Sequence, residues 1–285
     1  MTVDSRSSAG ADGDAGDESG SAAVNEQEVE DTLQRTVEEG KRRLNRNWAP
    51  LVATGLVGGI DVATGVLALL VVESQTGDKL LAGLAFSIGF IALTMARSEL
   101  FTEDFLVPVG TVIARQAPLR TLFRLWAVTA AGNLVGGWIF TLLIIDGFPS
   151  VQKTAVEAGA YYVNLGIGWR SFALALLGGS VITLMTWMQH ATESLGTKLV
   201  PAVTTGFVLA GAQLNHAIVA SLIIFAGLHT HETSYGYLDW AGTAGWAALG
   251  NMVGGIALVT LLRLLQVPHK VREHAKNPAP DVRAT

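Results

Sequence analysis

Two clusters of polar side chains interrupt long apolar runs in this 285-residue sequence. The first cluster lies within residues 80–114 and consists of Arg97, Ser98, Glu99, Thr102, Glu103 and Asp104. The second lies within residues 199–228 and consists of Gln213, Asn215 and His216. An imidazole lends a proton or a hydrogen bond near neutral pH, and a guanidinium stays charged and attracts small anions. These residue types therefore indicate the handling of a small anion.

Composition indicates that the clusters belong to a membrane protein. Hydrophobic residues make up 50% of the chain and charged residues 15%, against about 25% charged residues in an ordinary soluble domain. The absence of cysteine excludes a disulfide framework, a thiol nucleophile and a cysteine-ligated metal site. No phosphate-binding loop or paired-carboxylate hydrolytic site is recognisable. We expect a lipid bilayer and a small anion as partners, and no enzyme activity, cofactor, metal or nucleic acid.

The apolar runs predict an all-α polytopic membrane protein with six transmembrane helices. A helix needs about 20 apolar residues to cross a bilayer. The predicted spans lie near residues 49–72, 80–114, 121–145, 170–189, 199–228 and 239–266. The second and fifth are long for single straight helices, and both carry a polar cluster that protein or water must cover. Helices two and five are therefore predicted to be broken.

The distribution of charge predicts the orientation and the boundaries of the chain. Basic residues cluster before span one and in the loops on the same side, which predicts that both termini lie in the cytoplasm and the spans in the cell membrane. Residues 1–40 hold eleven acidic residues and two arginines and are predicted to form a disordered cytoplasmic tail, although residues 26–46 could form a short polar helix. The channel domain is predicted over residues 41–268, and a cytoplasmic tail over residues 269–285.

A repeated hexapeptide divides the chain into two halves. Residues 132–137 read GNLVGG and residues 250–255 read GNMVGG, so that five of six positions agree. Each half contains three predicted spans, so the halves must have opposite orientations in the membrane, which is a design of transporters and channels. Asn133 and Asn251 occupy equivalent positions. Since a broken helix leaves backbone groups without partners, we expect these two amides to hold the breaks.

Five segments together resemble the formate/nitrite transporter family over about residues 45–267. They are residues 86–89 (FSIG), 98–102 (SELFT), 132–136 (GNLVG), 216–218 (HAI) and 250–255 (GNMVGG). The resemblance implies an aquaporin-like six-helix protomer, a homopentamer, and one pore per protomer for small monovalent anions such as formate or nitrite. It also implies that Thr102 and His216 face a central chamber, that Leu100, next to Phe101, helps form a constriction, and that Phe86 narrows the outer side.

The sequence departs from the family pattern near the predicted pore. Arg97 replaces a glycine, Asn215 replaces a glutamate, Gly179 replaces an asparagine and Leu209 replaces an aromatic residue. Arg97 is predicted either to pair with Glu99, Glu103 or Asp104 or to face the chamber, where its charge would favour anion entry.

Three functions are compatible with these residues. The first is a passive or proton-linked conduit for a small monovalent anion, in which the imidazole of His216 lends a proton. The second is a neutral-solute or water pore of the same fold. The third is a membrane scaffold or sensor, plugged by a network around Arg97 and with the acidic tail as its output.

Overall fold

The computed structural model describes residues 30–266 and 268–276, and all regular secondary structure in these residues is helical. The helices are α1 (30–44), α2 (Trp48–Thr76), α3 (Lys79–Ala96), α4 (Val107–Ile113), α5 (Leu119–Gly147), α6 (Gln152–Asn164), α7 (Trp169–His190), α8 (Leu195–Gly211), α9 (Ala217–His229), α10 (Tyr237–Val253), α11 (Leu261–Gln266) and α12 (Pro268–Lys276). Short 3₁₀ helices span Phe101–Phe105 and Pro149–Val151, and a π-helix over Gly254–Thr260 joins α10 to α11.

Five helices in the described residues are long and apolar enough to cross a membrane. They are α2, α3, α5, α7 and the continuous helical stretch Tyr237–Gln266. Helices α8 and α9 are also apolar but have only 17 and 13 residues. The prediction of an all-α polytopic membrane protein is therefore confirmed at this level.

Both long apolar runs are interrupted at their polar clusters. In the first, α3 ends at Ala96, and Arg97 follows in the left-handed conformation with φ 55°. In the second, α8 ends at Gly211, Gln213 has φ 51°, and α9 begins at Ala217. We call residues 97–106 the first break and residues 212–216 the second break.

Helix α9 forms the centre of the molecule. All thirteen of its residues are buried, as expected for a helix that is apolar on every side. It packs against α5, α6 and α10. Most of the segment between Asp146 and Trp169 is α6, which packs on α9 through Ala155 and Gly159.

The two GN-x-VGG hexapeptides make matching close contacts. A side chain at Gly136 of α5 would place its Cβ 2.2 Å from the carbonyl oxygen of Leu56 in α2. A side chain at Gly254 would place its Cβ 2.0 Å from the carbonyl oxygen of Leu176 in α7. Small residues thus let the backbones touch at two separate helix crossings.

Helix α1 runs across the predicted domain boundary at residue 40 and packs against the helices that follow it. Leu33 and Val37 pack with Ala114 and Leu264, and Gly40 is tight against Thr111. The apolar residues of α1 recur at helical spacing, which gives an acidic segment a buried face. Residues 1–29 of the predicted tail lie outside the described residues. The predicted C-terminal tail begins with α12, and residues 277–285 again lie outside.

The contact of α2 with α5 should be intolerant of one added methyl group. Replacing glycine by alanine inside a helix normally stabilises it by about 0.5–1 kcal/mol. We expect Gly136→Ala to reverse that sign and to destabilise the protein by about 1–3 kcal/mol, because its Cβ would meet the backbone of Leu56. Gly147→Ala, in the same helix but with no atom within 4 Å of the added Cβ, is the control. Thermal melting of detergent-purified protein measures both, and equal melting temperatures would contradict the expectation.

Candidate functional site

The two breaks meet through one side-chain contact. The Oγ1 atom of Thr102, in the first break, lies 2.6 Å from Nε2 of His216, in the second. Both residues are fully buried. The tertiary structure thus joins two polar residues that lie 114 positions apart in the sequence.

The backbone around α9 determines which nitrogen of His216 carries the hydrogen. His216 is the N-cap of α9, and its Nδ1 accepts a hydrogen bond from the backbone N–H of Val219 at 3.2 Å. A nitrogen that accepts a hydrogen bond carries no hydrogen in the neutral ring, so Nε2 carries it. Nε2–H therefore donates to the hydroxyl of Thr102. A protonated ring would carry a second hydrogen on Nδ1, and Nδ1 could then no longer accept the hydrogen bond from the N–H of Val219.

Asn133 and Asn251 bind the backbone of the two breaks with the same pattern. Asn133 Oδ1 accepts from the N–H of Phe101 at 2.9 Å, and its Nδ2 donates to the carbonyls of Gly55 and Glu99, both at 2.8 Å.

Asn251 Oδ1 accepts from the N–H of Ala217 at 2.8 Å. Its Nδ2 donates to the carbonyls of Ala175 at 2.7 Å and Asn215 at 2.9 Å. Each amide therefore ties one break to a neighbouring long helix.

The apolar residues predicted for the pathway are buried in the main hydrophobic cluster. Phe86, Leu100 and Leu209 are fully buried, and Phe101 is 8% exposed. Asn215 is also buried, and its Nδ2 donates to the carbonyl of Ser171 at 3.3 Å. Its Oδ1 has no hydrogen-bond partner.

Two of the three carboxylates of the first break pair with arginines of α1 and the following loop, which the sequence analysis does not predict. Arg46 lies 2.8 Å from Glu99. Arg43 lies 3.3 Å from Asp104 and 3.8 Å from the same Glu99. The sequence offered these arginines only as part of the basic cluster that orients span one. The signal that could have found them is the excess of three acids over one arginine in the first break.

The predicted pairing of Arg97 with Glu99, Glu103 or Asp104 is wrong. Arg97 is exposed, and none of the ion pairs of the described residues includes it. Arg97 is the C-cap of α3 and has a left-handed backbone conformation, whereas the acids that follow it are buried.

Arg97 instead lines a cavity of about 730 Å³, which we call the vestibule. The vestibule lies between α1, the ends of α3 and α7, and the start of α8. Its ionisable lining consists of Glu39, Arg42, Arg43, Arg46, Arg97, Glu99, Glu103, His190, Glu193 and Lys198. Since Glu103 directly follows Thr102, the vestibule reaches the residue next to the contact of Thr102 with His216.

The charges of α1 stabilise one another at the edge of the vestibule. Burial opposes the charge of Arg43, but Glu99, Asp104 and Glu39 outweigh burial and raise the pKa of its guanidinium. Burial likewise opposes ionisation of Glu39, but Arg43 and Arg42 hold the pKa of its carboxyl below the ordinary value. In residues 30–266 and 268–276, the His, Asp and Glu side chains form no group of three or more that could hold a metal ion.

The sequence model of the formate/nitrite transporter family matches residues 30–265, which is most of the chain. The chain belongs to the formate/nitrite transporter family. The match begins at α1 and so includes the helix that sequence reasoning had placed in the tail.

Individual relatives are distant and match over most of their length. The inner membrane protein YfdC of Escherichia coli (strain K12) is 26% identical, with 85% of this chain and 80% of that protein covered. The formate channel FocB of the same organism is 24% identical, with 77% and 87% covered.

Two solved structures share the fold of the chain. One, described as a pentameric formate channel with formate bound, has a TM-score of 0.64 at 21% identity and covers 76% of this chain and 96% of that chain. The other, described as an FNT family ion channel, has a TM-score of 0.72 at 18% identity, with 84% and 99% covered.

The two buried amides should be needed for stability. Asn133→Leu and Asn251→Leu each remove three hydrogen bonds to buried backbone groups. We expect each variant to lose about 2–4 kcal/mol, at about 0.6–1.5 kcal/mol per bond. Asn164→Leu, at the exposed end of α6, is the control. Thermal melting and the yield of folded protein measure the effect, and a wild-type melting temperature in either buried variant would argue against it.

Proposed function

We propose that this chain forms a homopentameric membrane channel for a small monovalent anion of the formate or nitrite class. The observation that carries the proposal is the buried contact of Thr102 with His216, which joins two breaks in otherwise apolar helices. Family membership and a relative named a formate channel support it. The pentamer is supported by a fold neighbour that is described as pentameric.

In this proposal the chain crosses the membrane six times in two inverted halves of three spans. Helices α8 and α9 together provide the span that neither is long enough to form alone. The matching contacts of the two hexapeptides and the matching hydrogen bonds of Asn133 and Asn251 support the pseudo-symmetry. The basic residues around the vestibule support its location on the cytoplasmic side, with the termini.

The proposed route runs from the vestibule to the contact of Thr102 with His216. Arg97 attracts the anion into the vestibule, because an exposed guanidinium raises the local anion concentration. Leu100, Phe101, Phe86 and Leu209 then exclude water around the polar contact, so the anion must exchange hydration for protein hydrogen bonds. Among the residues of this chain, the hydroxyl of Thr102 and Nε2–H of His216 offer those bonds.

His216 acts in this mechanism as a neutral hydrogen-bond donor. The Val219 N–H occupies Nδ1, so the ring could accept a second proton only by giving up the cap of α9. Asn215, whose Oδ1 lacks a partner, lies next to this donor, but its amide bonds to α7. We therefore assign Asn215 to the shape of the second break.

Flux in liposomes tests the proposal. An anion channel conducts formate and nitrite, whereas a neutral-solute pore conducts glycerol or water. A non-conducting scaffold or sensor conducts none of these. Reconstituted protein that passes glycerol or water but neither anion would overturn the proposal, as would protein that passes nothing.

His216 can be tested with a substitution that separates its two hydrogen bonds. His216→Asn keeps an acceptor for the N–H of Val219 but loses the donor that reaches Thr102. We expect this variant to lose about 0.5–1.5 kcal/mol of stability with the buried hydrogen bond to Thr102. We expect it to conduct formate about 10- to 100-fold more slowly, because a hydrogen bond to a charged group contributes about 1.5–3 kcal/mol. His216→Phe removes the cap as well and should lose about a further 1 kcal/mol of stability.

The pH profile of formate flux decides between a neutral donor and a titrating imidazole. A neutral donor predicts that His216→Asn lowers flux by the same factor at every pH. A titrating imidazole predicts that the variant abolishes the pH response between about pH 5 and about pH 8. The second result would contradict the assignment of His216, and wild-type flux in His216→Asn would remove it from the pathway.

Arg97 can be tested against a second arginine with the same backbone conformation. Arg97 and Arg115 are both exposed and left-handed, with φ 55° and φ 57°, but only Arg97 lines the vestibule. We expect Arg97→Gly and Arg115→Gly both to gain about 1 kcal/mol, since glycine adopts this conformation without strain. Only Arg97→Gly should slow formate flux, by about two- to tenfold at low ionic strength and less in high salt. Equal flux in the two variants would exclude Arg97 from anion capture.

A further inference from the structure

Glu103 carries a buried carboxylate that the proposed anion route does not use. It follows Thr102 directly in the first break and is only 4% exposed. It lines the vestibule, and its Oε1 has no hydrogen-bond partner. Buried polar atoms without partners are rare in folded proteins, so this one requires an explanation.

The arginines near Glu103 are already paired with other carboxylates. Arg43 contacts Asp104 at 3.3 Å and Glu39 at 3.0 Å. Arg46 contacts Glu99 at 2.8 Å. None of the ion pairs in the described part of the chain includes Glu103. Two arginines therefore lie among three carboxylates of the first break, and Glu103 is the carboxylate that forms no ion pair with either of them.

The remaining charged groups around Glu103 do not provide a counter-ion. The ionisable groups around it are Glu39, Arg42 and Arg43 of α1, Arg46 of the following loop, Arg97 at the end of α3, Glu99 and Asp104 of the first break, His190 of α7, Glu193 of the next loop and Lys198 of α8. Of these, Glu39, Arg42, Arg43, Arg46, Glu99 and Asp104 pair with one another. Arg43 attracts the ionised carboxylate, but Glu99 and Asp104 repel it. Arg97 and Lys198 lie along the open vestibule, where water and salt screen them. Because a buried charge without compensation is costly, Glu103 is expected to hold a proton.

We propose that Glu103 is a proton-binding residue that controls anion passage between the vestibule and the contact of Thr102 with His216. The inference rests on the proposed channel function. A protonated Glu103 is neutral and offers an O–H donor to a passing anion. An ionised Glu103 places a negative charge beside Thr102 and repels the anion. Protonation of this carboxyl therefore opens the route, and its loss closes it.

Glu103→Gln tests the proposal because glutamine is neutral at every pH and similar in shape. Initial rates of formate uptake into liposomes are measured between about pH 5 and about pH 8 for the variant and the wild type. Dividing the variant rate by the wild-type rate removes the pH dependence that comes from protonation of formate, because it affects both rates equally. We expect the ratio of the variant rate to the wild-type rate to be near one at about pH 5 and at least about tenfold higher at about pH 8. The reason is that the protonated fraction of a carboxyl falls about tenfold per pH unit above its pKa. Glu38→Gln, an exposed carboxylate of α1 outside the vestibule lining, should give a constant ratio.

The stability of the variant provides a second, independent readout. If Glu103 is protonated, Glu103→Gln should melt like the wild type. If Glu103 is instead an ionised partner of Arg43, the variant should melt at a lower temperature or fail to assemble, and that result overturns the proposal. A stable variant with a ratio that does not change with pH overturns it as well.

Infrared spectroscopy separates this inference from the channel function. Infrared spectra of the reconstituted wild-type protein, recorded over a pH titration, should contain the carbonyl stretching band of a protonated carboxylic acid. This band should be missing from the spectra of Glu103→Gln. If the wild type conducts no anion, the channel proposal fails, and the infrared titration still decides whether Glu103 binds a proton. If the wild type conducts formate but the two spectra agree, only the role of Glu103 is overturned.

Discussion

The structure depends on satisfying the backbone polar groups where two apolar helices break. Hydrocarbon provides no hydrogen-bond partners, so each interrupted turn must find them in the protein. Asn133 and Asn251 supply them at equivalent points, each bonding one N–H and two carbonyls. In the first break, Trp126 donates to the carbonyl of Asp104 and Thr260 to that of Phe105. The glycines beside both asparagines follow from this constraint, because the amides reach across only where the helices touch.

A second constraint is electrostatic and sets the position of α1. The first break contains three buried carboxylates, and its own arginine points to the vestibule. Arg43 and Arg46 bring compensating charge from outside the predicted membrane spans. Docking of α1 is therefore coupled to the geometry of the break, because removing one partner of such a pair strands a buried charge. This coupling gives a polar N-terminal segment a structural role beside the pathway.

The local features could be predicted from the sequence, and the long-range ones could not. Apolar run length predicted the membrane helices, and the polar clusters within those runs located the interruptions. The repeated hexapeptide pointed to Asn133 and Asn251, but the carbonyls that they bind follow only from the folded structure. The pairing of Asp104 with Arg43 spans 61 residues and leaves no periodic pattern. Proximity in sequence suggested Arg97 as the counter-ion, but Arg97 is exposed, and Arg43 and Arg46 pair with the buried carboxylates instead.

The two hydrogen bonds of His216 limit how the proposed channel can select an anion. One nitrogen caps α9 and the other reaches Thr102, so the ring has no free site for a second proton while the cap is intact. A neutral donor discriminates between hydrogen-bond acceptors, but it discriminates weakly between an anion and a polar neutral molecule. Charge selection must then come from groups that the permeant meets before it reaches this contact. In the channel that we propose, those groups line the vestibule, where Arg97 attracts an anion and Glu103, which forms no ion pair in the described residues, opposes it when ionised. The selectivity of the route is therefore a property of the vestibule as much as of the buried histidine.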